Sequence, residues 1–238
     1  IEMARLNCEI YERTNVYFAV VDANNFHPRF DTIFLDPARR NSGQRYRHSH
    51  YYDPPLSLAK KLLNHTNRLI IKIGPAIPEQ ELPSDAKVEF VSSGGQCREG
   101  VLFWGETPTS GRSATVLPGP HTISEDNLGS AAVDLPGAYL YDPDPAVVRA
   151  HLINELARKL DAWKLDQHVA YLSGNHPIKT PFARCYRVID MMPFGVKTLR
   201  QYLRKKGFFP AQIKRRRFPM EPIEIERAIK VSTGDIPV

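Results

Sequence analysis

The chain has 238 residues, enough for one large domain or two smaller ones, and 42% of them are apolar and 24% charged, as is ordinary for a soluble globular protein. No stretch approaches the roughly 18 uninterrupted apolar residues that a membrane helix needs, and the start of the chain lacks the pattern of a signal peptide. We therefore expect a cytoplasmic protein. The net charge is +6, and its uneven distribution matters more than its size.

The three cysteines and the eight histidines indicate no metal or disulfide site. Cys8, Cys97 and Cys185 are far apart and contain no Cys-x-x-Cys pair, which argues against a disulfide framework and a zinc ribbon. His48 and His50 could share a face, but no acidic or thiol residue lies nearby in sequence at ligand spacing. We therefore predict no metal site, and we interpret the two histidines as part of a solvated loop.

Two short apolar runs near the beginning each end on an aspartate. A helix over Ile1 to Arg13 is followed by strand-like runs at Val16 to Val21 and Thr32 to Leu35, which precede Asp22 and Asp36. Such runs suit strands covered on both faces, as in a parallel sheet, where ligands bind beyond the carboxyl ends of the strands. The alternative is that both aspartates only cap the next turn.

The residues around these two aspartates resemble a known family. Asp22-Ala23 and the segment Phe30 to Arg40 are similar to the class I S-adenosylmethionine-dependent methyltransferases, and more narrowly to the bacterial branch with a carboxyl-terminal THUMP-like domain. In that family an acidic residue after the third strand lies near the cofactor adenine, and the fourth strand often ends in Asp/Asn-Pro-Pro-aromatic. The resemblance implies S-adenosyl-L-methionine as the cofactor. It implies a cofactor-binding set of Asp22, Ala23 and Asp36, and a catalytic set of Asp36, Pro37, Ala38 and Arg39.

The same resemblance has a consequence for the beginning of the chain. It makes the helix over Ile1 to Arg13 the one that follows the second strand, so the first strand and the glycine-rich cofactor loop are expected before Ile1. Gly94-Gly95, the only close glycine pair, follows a late strand and does not replace that loop. We therefore expect a carboxyl-terminal fragment of a longer protein, inactive by itself.

The next segments have the alternating pattern of a doubly wound sheet. Asn41 to Asp53 mixes basic residues with tyrosines, which suits a substrate loop that binds unpaired bases, although a mobile loop without a ligand fits equally well. A helix is predicted to start at Asp53 to Pro55 and run to Leu63. Strands are predicted at Arg68 to Ile73, Lys87 to Val91 and Gly100 to Trp104, the last two forming an antiparallel hairpin.

Past a predicted linker at Thr107 to Arg112, the chain reads as α+β modules of ferredoxin-like type. Residues 180–188 and 192–199 resemble the THUMP-like domain specifically, and related THUMP modules bind RNA. We predict three segments: 1–106 as the later half of a methyltransferase domain, 107–175 as ferredoxin-like, and 176–238 as THUMP-like. Strands are predicted at Ala114 to Leu117, Gly137 to Tyr141, Val169 to Leu172, Ala183 to Met191 and Ala211 to Arg217, and helices at Ala146 to Leu160, from Gly195 to a stop at Gly207, and at Glu224 to Lys230.

The basic residues concentrate in the last of these segments. Twelve Lys and Arg residues, against the single acid Asp190, lie between Lys179 and Arg217, which favours a nucleic-acid partner. Solvated helix and strand edges are the alternative, since edge cations also prevent unwanted strand pairing. The predicted RNA-binding residues are Arg184, Arg187, Lys197, Arg200, Arg204, Lys205, Lys206, Lys214, Arg215, Arg216 and Arg217.

The sequence thus predicts an α/β fold, with a partial Rossmann-like methyltransferase sheet followed by ferredoxin-like and THUMP-like α+β modules. The function implied by the resemblance is an S-adenosylmethionine-dependent methyltransferase acting on RNA. The alternative is a non-catalytic RNA-binding protein with a degenerate methyltransferase-like domain. No membrane partner is expected.

Overall fold

The computed structural model describes residues 1–25, 29–41, 44–105, 110–208 and 212–229. The chain divides into two compact units, Ile1–Glu125 and Asp126–Val238. Within the described residues, no helix is long and apolar enough to cross a membrane. The fold class predicted from the sequence is confirmed, because a mixed α/β unit with a six-stranded sheet is followed by a unit with its own four-stranded antiparallel sheet.

The first unit is organised around its six-stranded sheet. The strands lie in the order β1-β4-β6-β5-β7-β8, with β1 parallel to β4, β5 parallel to β7, and the other neighbours antiparallel. The elements of this unit are α1 (Glu2–Ile10), β1 (Phe30–Leu35), β2 (Arg40–Asn41), β3 (Gln44–Arg45), α2 (Leu58–Leu62), β4 (Thr66–Ile73), β5 (Lys87–Ser93), β6 (Gln96–Trp104), β7 (Gly111–Leu117) and β8 (His121–Ser124).

The core of this unit lies on the central strands. Leu69, Ile71 and Ile73 of β4 pack with Phe90 of β5 and Leu102 of β6, and each of the five side chains is fully buried. Removing such side chains from water contributes about 1.5–3 kcal/mol each to folding. In contrast, β1 is at the edge of the sheet, and most of its side chains are exposed.

The prediction of a strand at Val16 to Val21 is wrong. No strand forms there, and its side chains are largely exposed, Tyr17 to 96%. A strand needs a neighbour that pairs with its backbone, and no described strand lies beside this segment. Asp22 therefore follows an irregular segment rather than a strand.

One helix boundary in the first unit differs from the prediction, and the sheet extends further along the chain. The helix predicted from Asp53 begins only at Leu58, because the backbone of Asp53 pairs with Ala38 and is not free to start a helix. The sheet also continues past Glu106 through β7 and β8, so the first compact unit extends to Glu125. The predicted linker falls partly on residues 106–109, outside the described residues.

The second unit has a four-stranded antiparallel sheet in the order β10-β11-β9-β12. This is the ferredoxin-like strand order, with helices between its first two strands but none in the described residues between its third and fourth. The predicted boundary after residue 175 falls within this sheet, and the three-segment division stays a prediction. The elements are β9 (Tyr139–Pro143), α3 (Pro145–Arg149), α4 (Ile153–Lys159), β10 (Trp163–Asp166), β11 (Val169–Gly174), β12 (Ala183–Arg187), α5 (Val196–Lys206) and α6 (Pro222–Ile229).

Two predictions for the second unit are wrong. The single helix over Ala146 to Leu160 is broken into α3 and α4, because His151 adopts a left-handed backbone with φ of +61°. The described part of the predicted basic edge strand, residues 212–217, is irregular rather than a strand. By contrast, α5 ends at Gly207 in the left-handed conformation, as a glycine after the last helical turn does.

Candidate functional site

The carboxyl end of β1 leads directly into the Asp-Pro-Ala-Arg motif. Asp36 is exposed, Pro37 is buried, and the backbone of Ala38 makes two hydrogen bonds with that of Asp53, with N···O distances of 2.8 and 3.0 Å. These two bonds close the base of the loop between residues 39 and 52. The chain therefore places an exposed carboxylate at the sheet edge, immediately before a closed loop.

Asp36 is held by a lysine from the neighbouring strand. Because β1 and β4 run parallel with Leu35 beside Ile71, Asp36 and Lys72 come next to each other. The Lys72 ammonium lies 3.1 Å from Asp36 Oδ2 and 3.3 Å from Glu99 Oε2, with side-chain exposures of 26, 53 and 34% for Lys72, Asp36 and Glu99. The hydrogen bonds to Asp36 and then Glu99 raise the pKa of Lys72, so it stays cationic between two carboxylates.

A second group of contacts lies at the end of β4. The buried Tyr52 accepts a hydrogen bond at its hydroxyl from the backbone N–H of Gly74, at 3.1 Å. Arg39 is part of the same packing, since a β-carbon on Gly74 would lie 3.1 Å from Tyr52 Oη and 3.4 Å from Arg39 Nη1. Arg39 Nη1 is buried and has no hydrogen-bond partner among the described residues. It is therefore a buried donor that no described residue satisfies.

Asp22 was expected at the end of a strand next to the one that ends at Asp36, but it lies on a local turn instead. Its Oδ1 accepts hydrogen bonds from the backbone N–H of Asn24 at 2.8 Å and from the Asn24 amide at 3.1 Å, and its Oδ2 from Asn25 at 3.2 Å. These bonds form a local turn that also includes Ala23. Asp22 is exposed and Ala23 is half-buried. Asp22 thus caps a local turn in this structure, and its place in a cofactor site stays a prediction.

Four of the eleven predicted RNA-binding residues are engaged inside the second unit. Lys214 and Arg216 both pair with the nearly buried Asp142 and lie over the rings of Tyr186 and Tyr171. Arg215 pairs with Glu221, and Arg200 donates to the backbone carbonyl of Ala228. These four cations stabilise the unit's own structure.

The other seven basic residues have no ion pair within the described part of the chain. Four of them lie on α5, where the exposed cations follow the side of the helix opposite Leu199 and Leu203. Two lie on β12, and one lies at the end of the irregular segment 212–217. This set, called the free basic set below, is Arg184, Arg187, Lys197, Arg204, Lys205, Lys206 and Arg217.

Glu99 and Tyr52 are not among the site residues predicted from the sequence. Glu99 reaches Lys72 because β6 pairs antiparallel with β4, and Tyr52 is brought to Gly74 by the closed loop. Both contacts join residues more than twenty positions apart, and no local pattern in the sequence signals them. Lys72 lies within the predicted strand Arg68 to Ile73.

Comparisons with known proteins match both parts of the chain. Residues 183–237 match the family described as THUMP domain-like. Two curated relatives, uncharacterized S-adenosylmethionine-dependent methyltransferases of Mycobacterium tuberculosis strains CDC 1551 / Oshkosh and ATCC 25618 / H37Rv, are each 31% identical over 217 residues, which are 88% of this chain and 60% of theirs. The chain thus spans about 60% of the length of these relatives.

A solved structure agrees at the level of the fold. The crystal structure of a protein assigned as a methyltransferase from Porphyromonas gingivalis W83 matches with a TM-score of 0.68 and 24% identity, over 90% of this chain and 56% of that one. The bacterial relatives and the family match confirm the resemblance drawn from the sequence, both to S-adenosylmethionine-dependent methyltransferases and to a THUMP-like carboxyl segment.

Proposed function

We infer that this chain, which is homologous to S-adenosylmethionine-dependent methyltransferases and ends in a THUMP-like segment, is the later part of such an enzyme acting on RNA. The observation that carries the proposal is Asp36, an exposed carboxylate at the carboxyl end of a parallel strand, held there by Lys72. Ligands of open α/β sheets bind at this edge. In this proposal the glycine-rich loop and the first strands are contributed by residues upstream of Ile1.

The residues present fit a part of the cofactor site. S-adenosylmethionine carries N–H donors on its adenine and its amino group, and Asp22 and Asp36 offer exposed carboxylate oxygens that accept from such groups. The buried, unpaired Nη1 of Arg39 is a donor for a carboxylate, a phosphate or a base oxygen at the same edge. The bound cofactor would supply an activated methyl group, so the protein's task is orientation.

The proposed catalytic roles follow from chemistry and position. Asp36 accepts a hydrogen bond from the N–H of the group to be methylated and orients its lone pair. Arg39 stands where many family members carry an aromatic residue, and it stacks its guanidinium plane on a base or pairs with a phosphate. Pro37 and Ala38 fix the backbone between them, Pro37 by burial and Ala38 through its bonds to Asp53.

For the second unit we propose that the free basic set binds RNA phosphates. A protein that neutralises Z phosphates of a single strand shows a slope of about −0.7Z in a plot of log K against log salt concentration. Replacing Lys205 and Lys206 by Gln should therefore make the slope about 1.4 units less steep, if each contacts one phosphate. Fluorescence anisotropy with a labelled single-stranded RNA between 50 and 300 mM salt, about the range used for such plots, measures this slope.

A matched double variant in the first unit, Lys61→Gln with Arg98→Gln, removes the same charge from exposed positions outside the free basic set. It should leave the slope within error of the unmodified chain. Equal slopes for both double variants, or no RNA binding at the lowest salt, would remove RNA recognition by this surface from the proposal.

A further inference from the structure

Three side chains that are able to bind a metal ion meet outside the site described above. His48 directly precedes a single 3-10 turn at Ser49–Tyr51, and His50 lies within that turn. Glu81 ends a second such turn at Glu79–Glu81. The candidate ligand atoms of the three residues all lie within 4.8 Å of one another. The turns belong to the loops that follow β1 and β4, so the cluster joins two separate loops beyond the carboxyl ends of parallel strands.

The carboxylate of this cluster is fixed by its surroundings. Glu81 Oε2 accepts a hydrogen bond from the backbone N–H of Ser49 at 2.7 Å, while Oε1 lies 2.6 Å from His48 Nδ1. The Glu81 side chain is 21% exposed and that of His48 is 51% exposed. One oxygen is thus held by the backbone, and the other faces the histidines at an edge that solvent reaches.

The second histidine is held near the first by aromatic contacts. The rings of His48 and His50 have centroids 5.5 Å apart, and His50 lies 4.0 Å from the ring of Tyr51, which in turn contacts Tyr46 at 5.1 Å. An ordinary ion pair between His48 and Glu81 accounts for those two residues. It does not account for the presence of His50 at the same point.

We propose that His48, His50 and Glu81 bind one divalent transition-metal cation, with Zn²⁺ the preferred ion. Two imidazoles and one carboxylate are a borderline-soft ligand set that suits Zn²⁺ far better than Mg²⁺, which prefers oxygen ligands in an octahedron. Three protein ligands leave a fourth position open to water. The hydrogen bond from Ser49 orients the ligating carboxylate, as outer contacts commonly do in zinc sites.

The distances require only small movements on binding. With metal–ligand bonds of about 2.0–2.1 Å, neighbouring ligand atoms of a tetrahedral site lie about 3.3 Å apart. The contact between His48 and Glu81 opens by less than about 1 Å, and no separation in the cluster has to close by more than about 1.5 Å. Rotation of the exposed His50 side chain provides this movement without a change in the backbone.

A bound cation would link the loop that follows Asp36 to the loop that follows β4. Both loops start at the edge where Asp36 and Lys72 lie, so the cation would hold the two loops together beside this edge. The proposal depends on the three side chains alone and does not require the proposed methyl transfer. It therefore stands or fails independently of that function.

The test is calorimetric titration of Zn²⁺ into the tag-free, chelator-treated chain, with Mg²⁺ as the comparison ion. We expect one Zn²⁺ per chain, no measurable Mg²⁺ binding, and affinity at least tenfold lower in His50→Gln and in Glu81→Gln. His168→Gln, which removes an exposed histidine of the second unit, should bind as the unmodified chain does. His50 is exposed, so its variant should keep the fold, which circular dichroism verifies.

A second readout identifies the ligands. Cobalt(II) in place of zinc should give a visible absorption spectrum of a four-coordinate nitrogen and oxygen site, without the intense near-ultraviolet band of a thiolate ligand. The absence of stoichiometric zinc binding would overturn the proposal. So would undiminished binding in His50→Gln, or binding that is lost when the three cysteines are alkylated, because the ion would then be held by thiols.

Discussion

Replacing Lys72 by Met tests how the carboxyl edge of the sheet is held together. The substitution keeps most of the side-chain stem but removes the ammonium between Asp36 and Glu99. Partly exposed ion pairs contribute about 0.2–1 kcal/mol each, so the loss of two pairs should lower the free energy of unfolding of the first unit by about 1 kcal/mol. With a urea m-value of about 2 kcal/mol/M, the unfolding midpoint should fall by about 0.5 M.

The two tryptophans allow this unit to be observed separately. Trp104 lies in β6 of the first unit and Trp163 in β10 of the second, so in a Trp163→Phe background the fluorescence reports the first unit alone. The matched control is Lys61→Met, which removes an exposed lysine of α2 that has no ion pair in the described part of the chain. It should change the midpoint by less than about 0.2 M, as surface substitutions usually do.

Salt and pH separate the electrostatic effect from a packing effect. At 0.5 M salt the Debye length falls to about 4 Å, so the difference between the unmodified chain and Lys72→Met should shrink. The raised pKa of Lys72 means that its contribution is present below the ordinary value of 10.5 and disappears as the pH rises through the folded-state pKa. A midpoint for Lys72→Met equal to that of the control, or a difference independent of salt, would refute the reasoning.

Two further predictions concern the backbone of the sheet and the irregular basic segment. Gly105→Ala should cost at least about 2 kcal/mol more than Gly94→Ala in urea unfolding. Both glycines have positive φ, but a β-carbon at Gly105 would lie 1.8 Å from the carbonyl oxygen of Asn67, whereas one at Gly94 would lie 3.9 Å from the end of the Arg98 side chain, an ordinary contact. Equal costs would contradict this. Asp142→Asn removes the charge that pairs with Lys214 and Arg216. Trypsin should therefore cut the segment 212–217 several-fold faster in this variant than in the control Asp166→Asn. An unchanged rate would show that other contacts hold the segment in place.

The sequence predicted best those elements whose pattern is local. The strands β1, β4, β5 and β6 were found because apolar runs are bounded by Gly, Pro and Asp, and the end of α5 was found because Gly207 can adopt the left-handed conformation. The run at Val16 to Val21 has the same composition and forms no strand. Composition provides the tendency, but a strand exists only where another strand pairs with it.

The interruptions and long-range contacts were not predictable from local patterns. The helical repeat of apolar residues continues through His151, although the backbone there is left-handed. The strand β10 has only four residues, too few to show an alternation of apolar and polar side chains. In the candidate site, Asp36 was predicted from the sequence, but its contact with Lys72 follows from strand register. Glu81 was missed as a partner of His48 because 33 residues separate them in the chain.

The most direct test of the central claim is calorimetric titration of S-adenosylmethionine into this chain and into a version extended upstream by about 150 residues, one typical domain length. The account predicts binding by the extended chain only, at one cofactor per chain, and weaker binding after Asp36→Asn. Binding by neither chain would contradict the assignment to a methyltransferase, and it would leave RNA recognition by the second unit as the remaining function.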